Sequence, residues 1–113
     1  MTDVMTEKAL LNSIVKAARD CGYLVYHTWS SIHSPRGLPD LVMVRENDDG
    51  TAVLLFVELK SERGKVSEPQ QMWLDMLGKV PGIGVYLWRP ADLETAYQIL
   101  VAGCCDHPAT PSR

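Results

Sequence analysis

From Ala52 to Leu59 the chain reads Ala-Val-Leu-Leu-Phe-Val-Glu-Leu, apolar at odd and even positions alike until its penultimate residue. A strand wetted on one face alternates apolar and polar side chains, so a run apolar on both parities belongs at the centre of a sheet, buried on both sides. A second apolar run, Leu41 to Val44, precedes it, and the connector Arg-Glu-Asn-Asp-Asp-Gly-Thr is rich in turn formers. The two runs are therefore expected to pair as an antiparallel hairpin.

The remaining elements follow from periodicity. Between Glu7 and Arg19, Leu10, Leu11, Ile14, Val15 and Ala18 recur at helical spacing, and Gly22 follows where a helix-terminating glycine belongs. Tyr23 to His27 reads as a strand, and Thr28 to Pro39 has no sustained period and reads as a loop. Met72, Trp73, Met76, Leu77 and Val80 predict a second helix over Ser67 to Val80, stopped by Pro81-Gly82. Gly84 to Trp88 is a further strand and Asp92 to Val101 a capped final helix. The expected order is α-β-β-β-α-β-α, an α/β fold with a central mixed sheet flanked by helices. Trp73, Tyr86 and Trp88 are expected in its core.

A chain of 113 residues, 46% hydrophobic and 22% charged, suits one globular domain with one core. That domain is placed at residues 1–102, with a flexible tail at 103–113 that has two prolines and little to bury. Three cysteines, two of them adjacent at Cys104 and Cys105, fit neither a disulfide framework nor a tetrahedral zinc site. No basic-apolar leader opens the chain and no apolar run reaches membrane-spanning length, so a soluble intracellular protein with no membrane partner is expected. A net charge of −3 argues against broad electrostatic binding of nucleic acid, leaving only local, metal-assisted contact.

The chemistry is concentrated at one end of the hairpin. Pro39-Asp40 opens its first strand and Glu58-Leu59-Lys60 ends its second, so antiparallel pairing brings distant residues together. Glu58 and Lys60 are two apart and share a strand face, beside Asp40 if the register permits. Charged groups at the edge of an apolar strand need partners, and a metal ion would be one. Magnesium takes hard oxygen donors, which makes Asp40, Glu58 and the backbone carbonyl of Leu59 suitable ligands. Such an ion stabilises charge on a phosphate and acidifies water. Lys60 then orients the attacking water or neutralises the developing charge. The alternative is a turn-capping Asp40 with Glu58 and Lys60 as a solvated surface pair, and spacing alone leaves both readings open.

Several further residues carry two readings. Glu7 falls in helical register with Leu11, Ile14 and Ala18, on the expected core face, where it could reach a metal through water. Equally, it is a first-turn acid favoured by the helix dipole. Gln70, three residues after Ser67, completes a capping box, and it also lies close enough to a helix start to contact a phosphate or a metal-bound water. The loop carrying Thr28, Trp29, Ser30, Ser31, His33 and Arg36 mixes hydroxyls, an aromatic and cations suited to a nucleic-acid backbone, though the same composition describes an ordinary polar loop. Arg63 and Lys65, with Lys60, form a small basic cluster around Gly64 that suits phosphate contact or a solvated turn.

Taken together, Thr6-Glu7-Lys8 opening a helix, Arg36-Gly37-Leu38-Pro39-Asp40-Leu41, Phe56-Val57-Glu58-Leu59-Lys60, and Ser67 with Gln70 and Trp73 resemble the virus-type replication-repair nuclease family, VRR-NUC, a branch of the PD-(D/E)XK superfamily. The resemblance covers roughly residues 6 to 92. It implies a restriction-endonuclease-like core, Mg2+ dependence with Mn2+ able to substitute, metal binding by Asp40 and Glu58, a catalytic Lys60, and supporting roles for Glu7 and Gln70. It further implies a DNA endonuclease, structure-specific in the manner of Holliday-junction resolvases, acting as a homodimer on branched DNA in the cytoplasm of a bacterium or phage-infected cell. Against this stands a non-catalytic or partner-dependent DNA-binding accessory module, which the acidic net charge favours.

Overall fold

The computed structural model describes residues 5–28 and 37–103. Helix α1 spans Glu7–Asp20, strands β1, β2 and β3 span Leu24–His27, Leu41–Glu46 and Ala52–Leu59, and helix α2 spans Glu68–Leu77. Strand β4, Gly84–Trp88, a 3-10 turn at Pro90–Asp92 and helix α3, Leu93–Ala102, complete the expected order.

The four strands form one sheet in the order β1-β2-β3-β4. β2 pairs antiparallel with both β1 and β3, so the expected hairpin is present, with Leu41 opposite Val57 and Glu46 opposite Ala52. β4 runs parallel to β3, Val57 opposite Tyr86, because α2 carries the chain back across the sheet before β4 begins. The doubly apolar run is thus an interior strand.

One face of the sheet holds the core. Leu10, Ile14 and Ala18 of α1 and Ala96 and Leu100 of α3 meet Leu41 and Met43 of β2, Val53, Leu55, Val57 and Leu59 of β3, and Trp88. Arg45 secures the helix ends on that face. Its Nη1 donates to the carbonyls of Cys21 and Leu100, both at 3.2 Å, and its guanidinium sits 4.9 Å from the centre of the Tyr23 ring. Gly103, placed with the tail by its sequence, belongs to the fold as the left-handed cap of α3, with φ of 68°. The rest of the tail, including Cys104 and Cys105, lies outside the described residues.

One expectation about packing is corrected. Helix α2 buries no residue, and Met72, Met76 and Val80 are 68%, 65% and 47% exposed. Trp73, expected in the core, is 37% exposed. Helical spacing of apolar residues establishes that one face is apolar, without supplying a layer to cover it. Among the described residues no helix is long and apolar enough to cross a membrane.

Candidate active site

Alternation along β3 sends Val53, Leu55, Val57 and Leu59 into the helix-covered core and Leu54, Phe56 and Glu58 to the opposite face. Asp40 stands one residue before Leu41, whose partner is Val57, so the ladder carries Asp40 alongside Glu58. The Asp40 Oδ2 accepts the backbone N–H of Leu59 at 2.8 Å, tying the start of β2 to the end of β3. On its other side the Asp40 carbonyl accepts the Thr28 N–H at 2.9 Å.

Glu58 is 2% exposed, an unusual position for a carboxylate. Helix α2 covers it. Ser67 caps that helix through a complete capping box: Gln70 N–H donates to Ser67 Oγ at 3.2 Å, and Gln70 Oε1 accepts Ser67 N–H at 2.9 Å. The same amide donates from Nε2 to Glu58 Oε2 at 2.9 Å. The capping box read from Ser67 and Gln70 is present, and the other end of the same amide holds the Glu58 carboxylate.

Lys60 Nζ lies 3.9 Å from Glu58 Oε2, with its side chain only 15% exposed. That distance makes an ion pair and is too long for a hydrogen bond. The solvated surface pair allowed by the sequence is not what forms.

The electrostatics are those of crowded carboxylates. Burial pushes the Glu58 carboxyl up to about 8, and the Asp40 and Glu7 carboxylates push in the same direction while Lys60 opposes. Burial also raises Asp40, against the hydrogen bond from Leu59 and the charges of His27 and Lys60. Among the described residues Glu58 Oε1 is buried without any hydrogen-bond partner. An acceptor orphaned in this way beside a second carboxylate is a place where a cation would restore a missing interaction. The donors are oxygens alone, which fits magnesium or manganese, with Asp40, Glu58 and the Leu59 carbonyl as the residues to hold it.

Glu7 lies on the helix face expected of it, in line with the buried Leu10, Ile14 and Ala18. It is itself exposed at the first turn of α1. Its charge reaches Glu58, yet among the described residues no three His, Cys, Asp or Glu side chains form a metal-holding group. Thr28 closes the start of its loop, its Oγ1 donating to the Pro39 carbonyl at 3.2 Å. Trp29, Ser30, Ser31, His33 and Arg36 lie outside the described residues. Arg63 and Lys65 are exposed on the turn after β3.

Two residues near the site escaped the sequence reading. His27 at the end of β1 pairs with Leu41 and lies close enough to Asp40 to lower its carboxyl, and a lone histidine at a strand end carried no signal of that placement. Arg89 holds the turn after Lys60, and nothing in local spacing announced it.

A mixed four-stranded sheet with two carboxylates and a lysine at one end defines a nuclease-type α/β domain. The VRR-NUC domain family matches residues 5–89, and the chain belongs to that family. A solved structure described as a VRR_NUC domain protein shares the fold, with a TM-score of 0.61, 16% identity and 90% of each chain covered. No curated protein matches the sequence.

Proposed function

We propose that the protein is a metal-dependent endonuclease that hydrolyses DNA phosphodiester bonds, with Asp40, Glu58 and Lys60 as its reacting constellation. The observation that carries this reading is the orphaned Glu58 Oε1, buried beside Asp40 and faced by a lysine. A carboxylate held this way destabilises the empty protein and gains when a cation binds. A magnesium ion bound there supplies positive charge to the phosphate and acidifies water.

The chain's own residues do the rest. Gln70 fixes the Glu58 rotamer from α2, and the Leu59 N–H fixes Asp40 from β3. Lys60 brings an ammonium into the same pocket, where it orients the attacking water or offsets charge in the transition state. Arg63 and Lys65 offer phosphate contacts beside it. The substrate class we favour is branched DNA cut by a homodimer, since two coordinated cuts on opposite strands need two sites and this small domain carries one.

The test is cleavage of labelled four-way junction, flap, duplex and single-stranded DNA with Mg2+ or Mn2+, beside Asp40→Asn and Lys60→Ala. Junction-selective cutting lost in both variants supports the proposal. Absence of metal-dependent cutting on every substrate favours the accessory-module reading, for which the acidic net charge speaks.

A further inference from the structure

Immediately after Lys60 the backbone turns, and the carbonyl oxygens of that turn converge on one cation. Arg89 Nη1 donates to the Ser61 and Gly64 carbonyls, both at 2.7 Å, with the Glu62 carbonyl at 3.3 Å. The turn closes on itself through Gly64 N–H to the Ser61 carbonyl at 3.2 Å. Flanking bonds bind the same two segments: Lys60 N–H to the Trp88 carbonyl at 3.1 Å, and Ala91 N–H to Glu62 Oε1 at 3.3 Å. Arg89 is itself fixed, because its N–H donates to Asp92 Oδ2 at 2.8 Å.

The turn in its closed form sits against the lysine. A methyl group added at Gly64 would come within 2.9 Å of Ser61 Oγ and 3.5 Å of Lys60 Cδ. The aliphatic stem of Lys60, only 15% exposed, therefore has the turn beside it, with room for a methyl group between them. At 3.9 Å from Glu58 Oε2 the ammonium has no hydrogen bond to that carboxylate to fix it, so confinement of the stem decides where the charge sits. A four-carbon stem without such a neighbour samples many rotamers.

We infer that Arg89 is a positioning residue for Lys60, gathering the carbonyls of Ser61, Glu62 and Gly64 into a turn that holds the lysine stem over Glu58. This rests on the reading of Lys60 as a catalytic group. It assigns Arg89 no contact with the reacting atoms. It also gives the turn a second task, since Arg63 and Lys65 ride on the same backbone and share its placement.

The test uses protein labelled with 13C at lysine Cε, with the Lys60 resonance identified by its loss in Lys60→Ala. A confined stem gives two resolved ε-methylene proton signals. In Arg89→Ala these are expected to merge and approach the signals of exposed Lys65, while Arg89→Lys restores part of the separation. In cleavage assays Arg89→Ala should lower kcat about tenfold to a hundredfold, the scale of a small misplacement of a reacting group, with KM within about twofold. Should Arg89→Ala not fold, Arg89→Lys carries the same readout, and Gly64→Ala, which presses on Ser61 Oγ, should shift the Lys60 signals by displacing the turn. Folded variants with an unchanged Lys60 signal overturn the inference, as does a rise in KM with kcat intact, which would make Arg89 a substrate contact. Wild-type protein that cuts no DNA, yet whose Lys60 signal responds to Arg89→Ala, refutes the proposed function and leaves the positioning role standing.

Discussion

Gln70 Nε2 donates to Glu58 Oε2 at 2.9 Å while Gln70 Oε1 closes the capping box of its own helix. One amide thereby links the start of α2 to the buried carboxylate of β3. Its two ends can be separated experimentally. Gln70→Glu keeps an acceptor for the Ser67 N–H but loses the donor and adds negative charge beside Glu58. Gln70→Ala loses both bonds. Thermal unfolding in the absence of divalent metal should show Gln70→Ala destabilised by about 1–2 kcal/mol. Gln70→Glu should be destabilised above neutral pH and recover with added Mg2+. Equal stability of Gln70→Glu and wild type at pH 8 without metal would show that the amide–carboxylate bond contributes nothing.

The Glu58 carboxyl predicts a pH dependence with a definite sign. Its pKa is raised in the folded protein to about 8 from an ordinary 4.5. The folded state therefore holds a proton that the unfolded state releases, and the resulting stability is complete below about 4.5 and lost as pH rises through about 8. Metal-free protein should lose up to about 5 kcal/mol from this group across that window, and Glu58→Gln should flatten the loss. Chemical denaturation at several pH values in EDTA measures it directly.

The same carboxyl ties metal binding to proton release. Mg2+ must displace the proton on Glu58, so affinity should rise from pH 6 to about 8 and level off above. Calorimetry in two buffers of different ionisation enthalpy should register close to one proton released per ion near neutral pH. Glu58→Gln should abolish both the binding and the release. Binding that is independent of pH would remove Glu58 from the ligand set.

Gly37 is placed by a close approach. Its φ is 104°, and a Cβ there would lie 2.5 Å from the Pro69 carbonyl oxygen and 2.7 Å from Trp73 Cδ1. Gly37→Ala should cost about 2–3 kcal/mol, combining an unfavourable backbone conformation with a collision against the first turn of α2. Because that turn carries Gln70, metal affinity should fall as well. A denaturation midpoint unchanged in Gly37→Ala would contradict the packing.

The exposed side of α2 makes a contrasting prediction. Met72 and Met76 are 68% and 65% exposed, so Met72→Gln and Met76→Gln should each change stability by no more than about 0.5 kcal/mol. Had the apolar period of this helix faced the core, each would cost several times that. Denaturant unfolding of the two variants distinguishes the cases.

Much of this molecule was legible one segment at a time. The doubly apolar run at Ala52–Leu59 fixed an interior strand, the turn formers before it fixed the hairpin, and Ser67 with Gln70 fixed where α2 begins, because each is a local rule acting within a few residues. The parity of Glu58 and Lys60 placed them on one face for the same reason. Tertiary structure decided what lies next to what across the chain. Helical periodicity put Glu7 on the core-facing side of α1 and Trp73 in the core, yet both are exposed, because a period marks a face and only packing determines whether another layer covers it. The second bond of Gln70, the orphaned oxygen of Glu58 and the grip of Arg89 on the turn after Lys60 all join residues from different elements. Such contacts depend on how strands and helices meet in space, and no spacing along the sequence encodes them.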